Sequence, residues 1–509
     1  MNHRLLCSGA AASLLTLSST ASVAANTQQQ ATNSQQQKPD VLFIFVDDMT
    51  FDGLNSLGNK QIISPNMDKL VKSGVKFVNN YNMGGWNGAI SQASRTQLIT
   101  GMYVWNAFKA QTKDKFQSLV EQRTLWPLVM ADAGYKTYHT GKWHMAFVTP
   151  PKIFDETEAL SGGMMPDYYD FKKKTHGVPN TYLGYTRPLS RDDDSWQPWD
   201  KANGGFWQKD GKHWSEVQAD KIIGYMERNK SSKDPLFMTV AFNAPHDPRQ
   251  SPKSFVDMYP VDKIKVPKSF QPEHPDMELM GCGKTLRDEE LAPWPRTEYA
   301  VQKHCQEYFA LISHLDVQIG RVLETLEKSG RAENTLIVFT ADNGLALGKH
   351  GLLGKQNMYE HSLKVPLVFS GLGLPKGETR TQLTYMQDLV PTVLEIAGVE
   401  KPKNMDFISE LNVVKDGKQP SNREAIYGAY LDVQRMVRNE RYKLFLIPKA
   451  KSVFLFDVLK DPEETKNLYG NPKYDDVVKK LAVQYLKISK EVGDMYDIPA
   501  TYPELFKGL

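Results

Sequence analysis

Two acidic pairs carry the plainest chemical signal in this chain. Asp47-Asp48 ends the apolar run Val41–Val46 (VLFIFV), and Asp342-Asn343-Gly344 ends Leu336–Thr340 (LIVFT). Either pair alone reads as a turn. Adjacent carboxylates repel, however, and two of them at the end of a hydrophobic strand need a compensating cation. Together Asp47, Asp48, Asp342 and Asn343 offer hard oxygen donors, which suit Ca2+ or Mg2+ better than zinc. Basic groups follow other apolar runs: Lys142 and His144 in Lys142-Trp143-His144, His246 after Asn243-Ala244-Pro245, and Lys355 in Gly354-Lys355-Gln356. Singly, these are a structural histidine or a surface lysine. Gathered beside an acidic metal site, they would serve an anionic substrate.

The stretch Ile90–Gly101 (ISQASRTQLITG) adds a hydroxyl. Ser91 and Ser94 both suit a helix N-cap. Ser91 equally suits a nucleophile or the precursor of a more reactive group. A helix starting here would aim its amide groups and positive dipole end at a bound anion, with Arg95 one turn along. The chain has no Gly-x-Ser-x-Gly elbow, which excludes the usual α/β-hydrolase serine.

The elements that must position these groups alternate between strands and helices. Val41–Val46, Leu236–Phe242, Leu336–Thr340 and Val365–Phe369 read as buried strands, with a shorter one at Lys136–His139. Ser64-Pro65 opens a helix closed by Gly74, Thr124–Ala133 forms another, and Glu307–Glu327 has apolar residues at helical spacing. The pattern predicts an α/β fold with a large, mostly parallel central sheet flanked by helices. Reactive groups in such sheets gather at the carboxyl ends of strands, where Asp47-Asp48, Lys142 and His144, His246 and Asp342-Asn343 fall. Long loops, Pro150–Ser215 and Gln250–Pro295, are expected over that edge. After Lys415 come short strands at Ala425–Tyr430, Gln434–Arg438, Tyr442–Ile447 and Val453–Asp457, then a helix near Tyr474–Val492. These predict a smaller C-terminal antiparallel α+β subdomain.

Residues 1–25 read as a secretory signal peptide: a basic Met1–Arg4, an apolar Leu5–Leu17 and small residues at Ser22–Ala25. The polar tract Asn26–Gln37 reads as a disordered spacer. The expected organisation is therefore a catalytic domain over 38–415 and a subdomain over 416–509, in a periplasmic or secreted protein. No other apolar run approaches the ~20 residues of a transmembrane span. A net charge of +3 on 509 residues gives no reason to expect a nucleic-acid partner. Cys282 and Cys305 are open to a disulfide or to two free thiols.

Taken in order, these motifs resemble the formylglycine-dependent (type I) sulfatases of the alkaline-phosphatase superfamily, over nearly all of Lys38 to the C-terminus. Ser91-Gln92-Ala93-Ser94-Arg95 followed by Leu98-Ile99-Thr100-Gly101 matches the family's first signature, and Gly134 to His144 its second. Ala244-Pro245-His246, His350 to Lys355, Tyr359-Glu360 and the closing pattern Phe456-Asp457, Asp461-Pro462-Glu463 and Asn467-Leu468 are also in family order.

The resemblance implies the sulfatase fold and the oxidation of Ser91 to Cα-formylglycine, whose hydrate is the nucleophile. It implies Ca2+ (or Mg2+) held by Asp47, Asp48, Asp342, Asn343 and the Ser91-derived group. Arg95 and Lys142 would steady the formylglycine, Lys355 and His246 would face the sulfate and leaving oxygen, and His144 would take a proton from the second hydroxyl. Ser at 91 and Ala93 replace the commoner Cys and Pro. Both fit the serine-type subgroup, matured by a radical-SAM enzyme as partner. Met145-Ala146 replace a common Leu-Gly.

A sulfated sugar is the expected substrate, from the secretion signal and loops bearing Trp196, Trp199, Trp207, Trp214, Arg191, Lys212 and His213, which could meet an anionic glycan or could form a loop core. An aryl or choline sulfate is a further substrate class. The rival functions are a phosphate or phosphonate ester hydrolase of the same superfamily and a catalytically silent glycan-binding protein.

Overall fold

The strand Asp40–Val46 (DVLFIFV) is buried at all seven positions and lies inside an eight-stranded sheet. The computed structural model describes residues 38–163, 191, 192, 199 and 211–509. The expected leader and spacer, Trp196 and Trp207 lie outside the described residues. Across the sheet the strands run Glu378–Arg380, Gly74–Phe77, Leu367–Ser370, Thr335–Ala341, Asp40–Val46, Leu236–Ala241, Lys136–Lys142 and Glu156–Ser161. All are parallel except Leu367–Ser370, which is antiparallel to both neighbours. That strand was expected from Val365. Pro366 has no amide proton to give the ladder, and pairing starts after it.

Helix boundaries moved where tertiary contacts overrode local signals. The long helix is Glu298–Lys328, three turns longer than its apolar spacing suggested, because Thr297 caps it by accepting from Ala300 N (3.1 Å). Gly74 does not close the helix Pro65–Lys72 but opens a strand, where a Cβ would lie 2.2 Å from Phe369 O. The first amides of that helix donate to the Asp316 carboxylate, from Asn66 N at 3.1 Å and Met67 N at 2.7 Å. Cys282 and Cys305 are both free and buried, so no disulfide joins them.

The small sheet runs Ser452–Asp457, Tyr442–Ile447, Gln434–Arg438, Ile426–Tyr430 and Gly84–Gly85. The first four are antiparallel, as their alternating sequence suggested, and Asp475–Glu491 packs Leu481 and Tyr485 against them. The fifth strand comes from far upstream and pairs in parallel with Ala429 and Tyr430. It ends five residues before Ile90, so the small sheet braces the start of the Ile90–Thr100 helix.

Gly84 makes that pairing possible. Its φ is 77°, and a Cβ there would lie 2.1 Å from Ala429 O. Gly84→Ala is expected to cost about 3 kcal/mol or more, from left-handed strain and a backbone clash. Thermal unfolding checks this; an unchanged midpoint would show that the strand is not required.

Candidate active site

The carboxyl ends of adjacent parallel strands deliver the acidic groups. Asp47 and Asp48 leave Asp40–Val46, and Asp342 and Asn343 leave the neighbouring Thr335–Ala341. All four side chains are buried, and the Asp47, Asp48 and Asp342 carboxylates bring oxygens within 4.8 Å of one another. Asp48 has φ 63° and gives its amide to Asp342 Oδ1 (3.0 Å).

Three cations face the triplet. Lys142, the last residue of its strand, bonds Asp47 Oδ2 through Nζ. Lys355 Nζ bonds Asp48 Oδ1 and Oδ2 at 2.6 and 2.8 Å. Arg95 Nε bonds Asp342 Oδ2 at 3.2 Å, while its NH1 donates to Lys142 O at 3.0 Å and its guanidinium covers the Phe45 ring at 4.6 Å.

Ser91 sits in the first turn of Ile90–Thr100, with Oγ donating to Asp47 Oδ1 (3.1 Å) and accepting from Lys355 Nζ (3.3 Å). Neither serine caps the helix; Ala89 holds the N-cap position. Ser94, expected as a cap, lies inside the helix and donates to Asp342 O at 2.9 Å, which ties the helix to the acidic loop.

The electrostatics follow from crowding charges away from water. Burial, then the Asp47 charge, pushes the Asp342 carboxyl up to about 7. Burial would also raise Asp47, but the Lys142, Arg95 and Lys355 cations outweigh it and hold Asp47 well below the usual range. Three carboxylates that repel in a dry site are what a divalent cation would relieve. Asn343 Oδ1 is buried without a hydrogen-bond partner among the described residues, while its Nδ2 bonds Asp48. The oxygen donor set fits Ca2+ or Mg2+.

The histidines differ. His246 is buried with Nε2 3.6 Å from Asp48 Oδ2, and Nδ1 donates to Asp247 O at 2.6 Å. Burial, with Lys355 and Lys142 nearby, depresses its pKa well below the ordinary value. A neutral ring with the proton on Nδ1 presents an unprotonated Nε2 to the site. His144 follows Lys142 in a left-handed backbone (φ 57°), and burial with the Lys142 charge lowers its pKa to about 3. It makes no hydrogen bond to Ser91 among the described residues; its Nδ1 is unpartnered and its Nε2 lies against Gly163.

Sequence reasoning missed the support behind these groups. Asp247, Arg287, Asp288, Glu289 and Gln356 connect the His246 and Lys355 loops to one another. Asp247 beside His246 was the one available signal. Of the loop residues expected to meet a glycan, Trp214 and His213 are buried, Trp214 Nε1 bonding Asn243 Oδ1 at 3.2 Å. Trp214 opens the helix Trp214–Asn229, which His213 caps, and lies in the main hydrophobic core.

A model of the sulfatase family matches residues 39–399, and one described as N-sulphoglucosamine sulphohydrolase, C-terminal, matches 348–491. The N-acetylglucosamine-6-O-sulfatase of Bacteroides thetaiotaomicron is 26% identical, over 93% of this chain and 90% of that protein. The arylsulfatase of Clostridium perfringens is 26% identical, over 89% of this chain and 95% of that one. A solved complex with its substrate D-glucosamine-2-N,6-O-disulfate has a TM-score of 0.68 at 22% identity, covering 90% of this chain and 99% of that one. A phosphonate monoester hydrolase from Silicibacter pomeroyi reaches 0.69 at 21% identity, covering 90% and 96%. At such identities the structural likeness establishes the fold and does not separate sulfate from phosphonate chemistry.

Proposed function

We propose, from the premise that this chain belongs to the sulfatase family of sulfuric ester hydrolases, that it is an exported enzyme removing sulfate from a sulfated carbohydrate. The observation that carries the reading is Ser91 Oγ held between Asp47 Oδ1 at 3.1 Å and Lys355 Nζ at 3.3 Å, at a helix N-terminus.

In this reading a radical-SAM maturase oxidises the Ser91 side chain by two electrons to an aldehyde. One hydroxyl of the hydrate attacks sulfur and the ester oxygen leaves. Loss of the remaining hydroxyl's proton then lets this sulfated hydrate collapse to the aldehyde and expel sulfate by C–O cleavage, a route closed to plain serine. Asp47, Asp48, Asp342, Asn343 and the Ser91-derived oxygen would hold Ca2+ or Mg2+, which supplies Lewis-acid polarisation of a sulfate oxygen.

Arg95 and Lys142 hold the acidic triplet in place. Lys355 faces the sulfate, and His246 gives a proton to the leaving oxygen once the anionic substrate draws one onto Nε2. His144, kept neutral by burial, accepts from the second hydroxyl. Asp47, Asp48 and Asp342 balance Lys142, Lys355 and Arg95 in charge, so a divalent ion leaves positive charge for the anion.

The carbohydrate reading is supported by relatives that include an N-acetylglucosamine-6-O-sulfatase and an ulvan-active sulfatase. Export is supported by the basic and apolar start of the chain. No helix among the described residues is long and apolar enough to cross a membrane. Peptide mass spectrometry across Ile90–Arg95 from the native host is expected to show aldehyde at Ser91. Defined sulfated mono- and oligosaccharides should be turned over in preference to the matching phosphate esters. Unmodified Ser91 in an active preparation overturns the formylglycine route; dominant phosphatase activity overturns the sulfatase reading.

A further inference from the structure

The tripeptide Arg287-Asp288-Glu289 lies in the long loop that sequence placed over the working edge, and each of its side chains reaches a different part of the site. Arg287 NH1 bonds Asp247 Oδ1 at 2.9 Å, and NH2 bonds Asp247 Oδ2. Asp247 in turn holds His246, through its carbonyl at 2.6 Å from Nδ1 and its Oδ1 at 3.3 Å. The same Arg287 NH1 bonds Asp288 Oδ1 at 2.7 Å. Asp288 Oδ2 accepts from Gln356 Nε2 at 2.7 Å, and Gln356 also donates to Gly88 O at 2.9 Å, just ahead of Ser91. Gln356 Oε1 accepts from Lys355 N at 2.9 Å. Glu289 completes the set by accepting from Leu353 N and Gly354 N at 3.0 and 2.9 Å, its charge met by Arg296 NH2 at 2.8 Å.

We infer that Arg287-Asp288-Glu289 is a positioning brace that fixes His246 and Lys355 relative to each other and to Ser91. The inference rests on the sulfatase reading for the roles of those two groups. Asp247 and Asp288 are nearly fully buried and bind one guanidinium. A fork of fixed geometry held by two carboxylates sets the distance between the loops that carry them. Through the Asp247 carbonyl, the brace also keeps the proton on His246 Nδ1 and turns Nε2 toward Asp48 and the site. Arg287 is therefore a positioning residue, acting through His246. Because Glu289, paired with Arg296, holds the Leu353 and Gly354 amides ahead of Lys355 without help from Arg287, loss of Arg287 should disturb the proton donor more than the sulfate contact.

The test uses matured full-length enzyme and two esters that differ in leaving group, 4-nitrophenyl sulfate and phenyl sulfate. An activated phenol leaves without help, whereas phenol itself needs a proton. Arg287→Ala is expected to lower kcat about 10- to 100-fold for phenyl sulfate but less than about threefold for 4-nitrophenyl sulfate. KM for both should stay within about threefold, and Arg287→Lys should recover part of the loss. Asp247→Asn, which keeps the shape and loses the charge pair, should show the same split and decides the matter if Arg287→Ala does not fold. Equal losses on both esters, or a change confined to KM, overturn the brace. If wild-type enzyme hydrolyses only the matching phenyl phosphates, the sulfatase reading falls, and the same ratio measured on those phosphates still decides the brace.

Discussion

Ser91→Ala is expected to lower kcat for sulfate-ester hydrolysis by about 10^4-fold or more, the scale on which removal of a covalent nucleophile acts. That corresponds to about 5.5 kcal/mol of lost transition-state stabilisation. The effect should be large because the nearest hydroxyl on the same helix is committed elsewhere: Ser94 Oγ donates to Asp342 O at 2.9 Å. The fold should barely notice. Alanine forfeits the Ser91 Oγ hydrogen bond to Asp47, about 1 kcal/mol, while Asp47 keeps Lys142 and Asp48 keeps Lys355. Steady-state rates alongside thermal unfolding check the pair of expectations. A variant retaining a tenth of wild-type turnover would show that the reaction does not pass through this side chain.

Asp342→Asn should separate the metal's role in binding from its role in stability. In wild-type protein stripped with a chelator, turnover should fall to background and return with Ca2+. Ca2+ at about 100 times its dissociation constant should add about 2.7 kcal/mol to stability, because it binds only the folded triplet. In Asp342→Asn that gain should be mostly lost, together with activity. Without metal the sign reverses. At Asp342, burial and the like charges of Asp47 and Asp48 outweigh the ion pair with Arg95, so a neutral amide relieves a net cost. The stripped variant should be at least as stable as stripped wild type. Thermal unfolding with and without Ca2+ reads both effects. A variant that gains as much from Ca2+ as wild type would remove Asp342 from the metal site.

The contrast between Ser91 and Arg287 shows how far sequence reaches into the site. Ser91, Asp47, Lys142, His246 and Asp342 each follow or open a regular element, so local pattern located them at one edge of the sheet. The small sheet's first four strands were legible for the same reason, since strand alternation is local. Arg287 gave no such signal. It sits in an irregular loop, and its partner Asp247 is 40 residues away, so nothing in local spacing couples them. Gly84–Gly85 was hidden likewise: two glycines carry no periodicity, and their strand exists only because Ala429 and Tyr430 lie alongside.

By itself, then, the sequence determined the element types, the strand ends where polar groups gather and the residue types that make an acidic cluster facing cations. These follow from hydrophobic periodicity and from the chemistry of side chains, which are properties of short segments. Only the tertiary structure decided that Ser94 ties the helix to Asp342 instead of capping it, that Trp214 and His213 are core, and that His246 presents Nε2 with its proton held on Nδ1. Those outcomes depend on which distant backbone and carboxylate groups arrive beside each side chain. A buried polar group takes the partner that the fold supplies.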